Sequence, residues 1–346
     1  MLAAGVSLHE PAAPVDIAEF FTLRAEASPS LDPEPPALVF VADDILPVPE
    51  AILQVNSSVQ GHGRFAAPGN AARRVKLRAI NPVTADELAG FFREVSYTLT
   101  DVRLGEAVPP IKVERVPADL VNKEGNERKT LFITALLPVV LEANQRVIED
   151  REHLLDLRSK LDSGYGLLPF ETIWLEQLAE RYQVSADQLD ELLNRVDIVP
   201  PSMAIAQAGV ESGWGTSFAA RMGNALFGQI QSIGHHAVKV PWKPGPAMPQ
   251  PFESVGEAAA AYVYNLNTHA AYAGFRAERA AMRELGKSPD GYRLIGTLLR
   301  YSELGQEYVR FVRRIMRENS LADFDDARLS DVEVLHHPTW QITVAH

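Results

Sequence analysis

The chain has 346 residues, of which 46% are hydrophobic and 23% are charged, and these are ordinary values for a globular protein. This length supports about two domains with a sizeable core, and the chain has no uninterrupted apolar run long enough to predict a transmembrane helix. A formal net charge of -12 argues against nucleic acid as the main partner, and the absence of cysteine excludes disulfides, thiol nucleophiles and cysteine-ligated metals. The first residues lack a basic stretch and a complete apolar run, so they predict no intact signal peptide.

The first third of the chain is rich in proline, since 13 of the 24 prolines lie in residues 1–120. Proline fixes φ and removes a backbone donor, so this part cannot be a series of long helices. Ala37–Ala42 and Arg73–Ile80 have the pattern of strands, and a short helix is predicted from Ala85 to Arg93. We therefore predict a loosely structured extension over residues 1–116, which offers a surface for a protein partner.

Helical periodicity dominates from about Lys123 onwards, and we predict a helical domain over residues 117–319. Its first helix should kink at Pro138, because a proline inside a helix deletes a hydrogen bond. Two more helices are predicted at 170–182 and 186–195. Ser185 and Gln188 should form a capping box at the start of the second.

The end of the chain contains one more predicted helix and a tail. Its apolar positions follow helical spacing and end near Asn319: Tyr308, Phe311, Val312 and Ile315. Residues 320–346 are predicted to be a C-terminal tail. Between Gln229 and Phe252 there are five prolines, so this stretch should be a loop or small β-lobe inserted between helices. The predicted fold class is therefore mainly α with a small inserted lobe.

The segment from Val199 to Gln229 contains the most informative residues. Pro200 and Pro201 predict a helix start with Ser202 as its N-cap, and Gly213 and Gly215 should end that helix. Glu211 then lies in the last turn, where the helix dipole disfavours a negative charge and where Val210 and Trp214 would remove water. Both effects predict a raised pKa for Glu211, which suits a general acid.

Two sequence blocks carry a family resemblance: Glu211-Ser212-Gly213-Trp214-Gly215 and Gly223-Asn224-Ala225-Leu226-Phe227-Gly228-Gln229. They resemble the signature of peptidoglycan N-acetylglucosaminidases with a lysozyme-like fold, glycoside hydrolase family 73, and the Bax-like branch fits best. Further segments that resemble accessory motifs of this branch are Leu131-Phe132-Ile133, Leu137-Pro138, Asn144 and Tyr264–His269 with Tyr272. The likeness covers about residues 108–318.

The resemblance implies a lysozyme-like catalytic domain that hydrolyses the β-1,4 bond between N-acetylglucosamine and N-acetylmuramic acid of peptidoglycan strands. It also implies a place in the cell envelope, in the periplasm, and Glu211 as the general acid. We expect no cofactor and no metal. The predicted substrate-binding residues are Gln207, Trp214, Asn224, Phe227, Gln229, Trp242, Tyr262, Asn265 and Tyr272.

Several of these residues also have a structural interpretation. Gln207, one turn before Glu211, either bonds the acid or is a solvated polar group. Tyr262, among alanines, is interpreted as a core ring whose hydroxyl reaches the edge of the cleft. Trp242 either stacks on a sugar or anchors the lobe. His235 and its neighbour lack accompanying carboxylates and are interpreted as a solvated pair rather than a metal site.

A second catalytic carboxylate is harder to assign. Glycosidases commonly pair two carboxylates, yet no Asp or Glu lies between Ser212 and Phe252. Glu253 is the first candidate, but Ser254 and Glu257 form a capping-box pattern, so Glu253 also fits a helix start. The alternative is assistance by the 2-acetamido group of the substrate. The same acid-free stretch carries three basic residues, which suits a polyanionic substrate.

Two other functions fit the same residues. A muramidase or lytic transglycosylase on this fold would cut the other glycosidic bond, and the transglycosylase needs no base to activate water. A non-catalytic peptidoglycan-binding scaffold would use the extension to dock a partner. Glu211 argues against the scaffold, since an inactive protein has no reason to keep an acid at an unfavourable helix end.

Overall fold

The helices of the protein account for most of its described residues, which in this computed structural model are 76–230 and 248–331. In chain order the helices are α1 (Ala85–Glu94), α2 (Leu99–Arg103), α3 (Gly125–Asp162), α4 (Pro169–Arg181), α5 (Leu189–Arg195), α6 (Pro201–Ser212), α7 (Phe218–Gly223), α8 (Val255–Thr268), α9 (Ala273–Glu284), α10 (Gly291–Leu294) and α11 (Gln306–Glu318). Short 3-10 helices lie at Ala118–Asn122, Ala270–Tyr272, Ile295–Thr297 and Leu321–Phe324. The predicted mainly α fold is confirmed, and it agrees with a lysozyme-like domain.

Helix α3 is the longest described element and forms one wall of the core. Its residues Leu131–Leu141 are all buried, and it packs against α6 and α8. The helix continues through Pro138 over 38 residues. It is long and apolar enough to cross a membrane, but 78% of its most apolar window is buried inside the protein, which makes it weak evidence for a membrane span.

Helix α6 lies at the centre of the core and is surrounded by α3, α10, α11 and the turn Leu321–Phe324. Small side chains such as Ala204 and Ala208 allow these neighbours to approach closely on every side. Every residue of α6 except Glu211 is buried. The fold therefore presents a single carboxylate at the end of an otherwise inaccessible helix.

The two ends of α6 are closed in different ways. Pro200 is the N-cap residue, and Asp325 accepts hydrogen bonds from the Ser202 backbone N–H and hydroxyl, both at 2.8 Å. The prediction of Ser202 as N-cap is therefore wrong, because Pro201 already occupies the first helical position. At the other end Gly213 has φ +59, the left-handed conformation that favours glycine, as expected for a helix terminator.

Residues ahead of the predicted helical domain also form regular structure. Strand β1 (Arg78–Ile80) pairs in parallel with β2 (Ile111–Val113), and β2 packs on α3 and α8. Helix α1 matches the helix predicted for that region, with Leu88 fully buried. The predicted strand Ala37–Ala42 and most of the extension lie outside the described residues. These contacts support a proposal that the helical domain begins near residue 76 rather than 117.

The segment after α11 packs against the core as well. Leu321 and Phe324 are fully buried, and Val108 exchanges backbone hydrogen bonds of 2.8 Å with Arg328 and Ser330. We therefore propose that the domain extends to about residue 331, with the tail beginning later than residue 320. Residues 332–346 lie outside the description.

Most of the other helix predictions agree with the structure, except for the start of α5. Helix α4 matches the prediction of 170–182, and the four predicted apolar residues of α11 are all buried before its C-cap at Asn319. Helix α5 begins at Leu189, not at 186. Ser185 does not cap it, because its hydroxyl hydrogen bonds to Asp187 instead.

Candidate active site

Glu211 occupies the last turn of α6, and the turn that follows it is tightly packed. Trp214 has φ +59 and is completely buried, with its ring against Gly209, one turn back in the helix. A Cβ atom at Gly209 would lie 2.9 Å from that ring, so only glycine permits this contact. Phe132 of α3 meets the same ring edge to face at 5.8 Å. The turn after Glu211 is thus fixed by packing.

Glu211 accepts a hydrogen bond from α11. The Tyr308 hydroxyl donates to Oε1 of Glu211 at 2.9 Å. Tyr308 in turn accepts from Nε2 of Gln207 at 2.9 Å, and Oε1 of Gln207 accepts from the Tyr262 hydroxyl at 2.7 Å. Gln207, Tyr262 and Tyr308 are fully buried. Gln207 is therefore not a solvated group, and it reaches Glu211 through Tyr308.

Tyr301 and Tyr272 are two further tyrosines whose pKa values are affected by the charge of Glu211. Tyr301 stacks on Tyr308 with 5.6 Å between ring centroids and donates to the Phe227 carbonyl at 2.7 Å. Tyr272 lies 5.9 Å from Tyr301. Burial, with a contribution from the charge of Glu211, raises the pKa of Tyr301, Tyr308 and Tyr272 above the usual range. These hydroxyls remain neutral donors at ordinary pH.

The predicted residues after α7 have mainly structural contacts. Asn224 is buried at φ +52 and its side-chain N–H donates to the Phe252 carbonyl at 3.0 Å. Phe227 is fully buried and stacks on Tyr262 at 4.3 Å. The Gln229 backbone carbonyl accepts a hydrogen bond from the Gln250 N–H at 2.8 Å. The side-chain Oε1 of Gln229 is buried and accepts no hydrogen bond from the described residues. Together they bind the base of the insertion to the core.

The insertion begins and ends in an antiparallel arrangement, since Ile230 pairs with Pro249. Trp242 and the histidine pair belong to residues 231–247, outside the described part, so the assignments made for them stay predictions. Asn265 hydrogen bonds with the hydroxyl of Tyr272, and Tyr272 is electrostatically coupled to Glu211. The structure thus brings Gln207, Tyr262, Asn265 and Tyr272 into the neighbourhood of Glu211. The Trp214 ring packs on Gly209 and supports the turn after Glu211.

Glu253 lies at the start of α8. The Ser254 hydroxyl accepts from the Glu257 N–H at 3.1 Å, and the Glu257 carboxylate accepts from the Glu253 N–H at 2.6 Å. The predicted capping box therefore forms, except that the Glu257 carboxylate accepts from the N–H of Glu253 instead of the N–H of the N-cap residue Ser254. Glu253 itself is exposed. Its role as a second catalytic carboxylate stays a prediction.

Sequence reasoning missed Tyr301 and Tyr308. Tyr308 was counted only as an apolar position of the α11 stripe, although a buried tyrosine hydroxyl needs a hydrogen-bond partner and so points to a polar neighbour. Among residues 76–230 and 248–331, no group of three or more His, Cys, Asp or Glu is arranged to hold a metal ion.

Glu211 is thus a partly exposed carboxylate at the end of a buried helix, and the Tyr308 hydroxyl donates to its Oε1. Residues 186–321 match the glucosaminidase family, described as mannosyl-glycoprotein endo-beta-N-acetylglucosaminidase. Protein bax of Escherichia coli (strain K12) is 35% identical over 202 residues, which are 56% of this chain and 71% of that protein. The chain therefore belongs to the glucosaminidase family, in its Bax-like branch. No solved structure matches the chain significantly. Membership supports glycoside hydrolase activity on peptidoglycan in general terms.

Proposed function

We propose that the protein is an endo-β-N-acetylglucosaminidase of the cell envelope, in the periplasm, with Glu211 as its general acid. The substrate is the β-1,4 bond between N-acetylglucosamine and N-acetylmuramic acid. The observation that carries this proposal is that Glu211 alone in α6 is not buried, while the buried Tyr308 hydroxyl holds its Oε1. A carboxyl fixed in this way can deliver a proton to the leaving oxygen.

We further propose that the reaction uses one protein carboxylate and the substrate's 2-acetamido group as nucleophile. The absence of acids from Ser212 to Phe252 supports this, as does the position of the exposed Glu253 at the start of α8. The acetamido oxygen would attack the anomeric carbon as Glu211 protonates the leaving oxygen, and water would then open the oxazoline. The three basic residues of the acid-free stretch favour a substrate rich in carboxylates.

Digestion of purified sacculi tests the bond that is cut. The released fragments are reduced with borohydride and identified by mass spectrometry, and glucosaminitol ends are expected. Muramitol or anhydro-muramic ends would assign a muramidase or a lytic transglycosylase instead. Absence of any fragment would favour a peptidoglycan-binding scaffold.

Glu211→Gln tests the acid. The amide keeps the size of the side chain but has no proton to transfer, so turnover should fall by about 10²–10⁴-fold while sacculus binding persists. Glu303→Gln, on an exposed carboxylate in the loop before α11, is the matched control and should retain activity. Turnover of Glu211→Gln at the wild-type rate would remove the assignment.

Glu253→Gln tests the one-carboxylate mechanism. If Glu253 only favours the start of α8, its loss should cost about 0.3–1 kcal/mol of stability and little activity. A thiazoline analogue of N-acetylglucosamine should inhibit, because it mimics the oxazoline. A large loss of kcat in Glu253→Gln together with no inhibition by the thiazoline would establish a second catalytic carboxylate.

A further inference from the structure

A continuous series of hydrogen bonds leads from the interior of the protein to Glu211. It runs from the Tyr262 hydroxyl to Gln207, from Gln207 to the Tyr308 hydroxyl, and from Tyr308 to Glu211, over distances of 2.7, 2.9 and 2.9 Å. The first three side chains are fully buried and come from α8, α6 and α11. Three separate helices therefore meet at these bonds.

The series has a direction. The Gln207 amide has an oxygen that only accepts and a nitrogen that only donates. Tyr262 donates to the oxygen, so the nitrogen is left to donate to Tyr308. Tyr308 has one hydroxyl proton, and because its oxygen already accepts from Gln207, that proton points to Oε1 of Glu211.

We propose that Gln207 and Tyr308 are positioning residues that keep Oε1 of Glu211 as a hydrogen-bond acceptor, so that the transferable proton is carried by Oε2. This inference rests on the proposed role of Glu211 as general acid. An Oε1 that accepts from Tyr308 cannot also present its own proton along that bond. The orientation of the carboxyl group and the choice of its reactive oxygen are thus set by two fully buried side chains.

The titratable groups around Glu211 do not reverse this direction. Among the described residues, the charge of Glu211 acts on Tyr262 and Tyr272 from α8 and the turn after it, on Tyr301 from the loop before α11, and on Tyr308 from α11. Burial raises the pKa of each, so each keeps its hydroxyl proton. On α3, the Lys129 ammonium lies 5.6 Å from the centre of the Trp214 ring, which packs on the turn after Glu211.

The test compares three variants that each remove polar atoms from one buried or nearly buried side chain. Tyr308→Phe removes the donor to Glu211, and Gln207→Met removes the group that orients Tyr308. Tyr264→Phe is the control, since the Tyr264 hydroxyl accepts from Gln183 at 3.0 Å and belongs to the same helix as Tyr262 without bonding to Glu211. Rates on sacculi, KM, the pH profile of kcat and thermal stability are measured for all three and for the wild type.

Tyr308→Phe should lower kcat by about 10–100-fold with KM nearly unchanged, because the carboxyl group loses its fixed orientation. A hydrogen bond to the ionised form favours that form, so its loss should move the alkaline limb of the kcat profile upward by about one pH unit. Gln207→Met should shift the limb in the same direction by less, because Tyr308 keeps its proton. Tyr264→Phe should lose similar stability with no shift of the limb.

An unshifted limb in Tyr308→Phe would overturn the inference while leaving the proposed function intact, provided that Glu211→Gln is inactive. If the wild-type enzyme releases no fragments, the proposed function fails, and the positioning is then tested by NMR titration of the ¹³C-labelled Glu211 carboxyl. A higher titration midpoint in Tyr308→Phe than in wild type supports the hydrogen-bond direction, and equal midpoints overturn it.

Discussion

Helices α6 and α11 pack against each other and supply the two ends of the Glu211–Tyr308 hydrogen bond, but they are buried in different ways. Eleven of the 12 residues of α6 are buried, whereas α11 buries six of its 13 and turns arginines to solvent. An amphipathic helix such as α11 has a polar face that needs no partners. In α6 every polar side chain except Glu211 is buried and must be bonded within the core.

The structure meets this requirement at each polar position of α6. Ser202 bonds Asp325, Gln207 bonds two tyrosines, Glu211 accepts from Tyr308, and the Ser212 hydroxyl donates to the Ala208 carbonyl at 2.6 Å. Buried polar groups without partners are costly, so such a helix keeps polar residues only where neighbours satisfy them. A carboxylate on α6 is therefore better evidence of function than any charge on α11.

The two faces of α11 should differ most in their response to alanine. Ile315 is 1% exposed and faces the core, so Ile315→Ala should cost about 2–5 kcal/mol in the free energy of unfolding. Arg314, its exposed neighbour, should tolerate alanine within about 0.5 kcal/mol. Urea denaturation of both variants measures this, and equal losses would show that α11 does not pack on one face.

A second comparison concerns two helical glycines, one at a buried position of α6 and one at an exposed position of α9. Gly209→Ala would push a methyl group into the Trp214 ring and should lower the free energy of unfolding by about 1–3 kcal/mol. It should also lower activity, since that ring fixes the turn after Glu211. Gly274→Ala in α9, where no atom lies within 4 Å of the added Cβ, should instead gain about 0.4–1 kcal/mol. Thermal melts of both variants and the wild type measure these opposite changes in stability. A neutral Gly209→Ala would contradict the close contact.

Removing the Asp325 carboxylate that bonds Ser202 at the start of α6 should have the smallest effect on stability, and this effect should depend on pH. Asp325→Ala leaves the Ser202 donors unsatisfied and should cost about 0.5–2 kcal/mol. Burial raises the pKa of Asp325 from 3.8 to about 6, against the lowering effect of the Ser202 hydrogen bonds. The folded protein therefore binds this proton more tightly than the unfolded chain, and wild-type stability falls as pH rises through that window.

The loss caused by Asp325→Ala should accordingly be larger near pH 4 than near pH 7, because only the wild type must ionise a buried carboxyl group as pH rises. Denaturation at both pH values measures the difference. A loss that grows with pH would show that the ionised form of Asp325 is the better cap.

Limited proteolysis tests the extent of the helical domain. The packing of β1, α1 and β2 on the core supports a stable fragment that starts near residue 76, whereas the proline pattern alone favours a start near 117. N-terminal sequencing of the resistant fragment distinguishes the two. Cleavage that begins within residues 130–200 would contradict both.

Local patterns were enough to predict much of the fold. The apolar stripe of α11, the left-handed Gly213 and the helix start at Ser254 each depend on a few neighbouring residues, and all three are found. The predictions for the start of α5 and the cap of α6 also depend on a few neighbouring residues, and both are wrong. Ser185 and Ser202 both have good capping chemistry, but Asp187 and the distant Asp325 bind their hydroxyls.

The surroundings of Glu211 depend on residues far apart in the chain. Tyr308 lies 97 positions after Glu211 and reaches it because α11 packs on α6, which no periodicity shows. The spacing of Gln207 from Glu211 predicts either a bond to the acid or a solvated side chain, while full burial directs its amide to two tyrosines. Spacing predicts which residues share a helix face, and only the packing decides their partners.

The buried Trp214 gives the protein an optical reporter beside its candidate acid. Its ring is fully excluded from solvent, and its indole N–H has no acceptor among the described residues. An indole in such dry surroundings emits at short wavelength and is poorly reached by soluble quenchers. Because Trp214 is three residues after Glu211 and packs on Gly209, a red shift of its emission, measured with the other three tryptophans replaced, would report an opening of that turn.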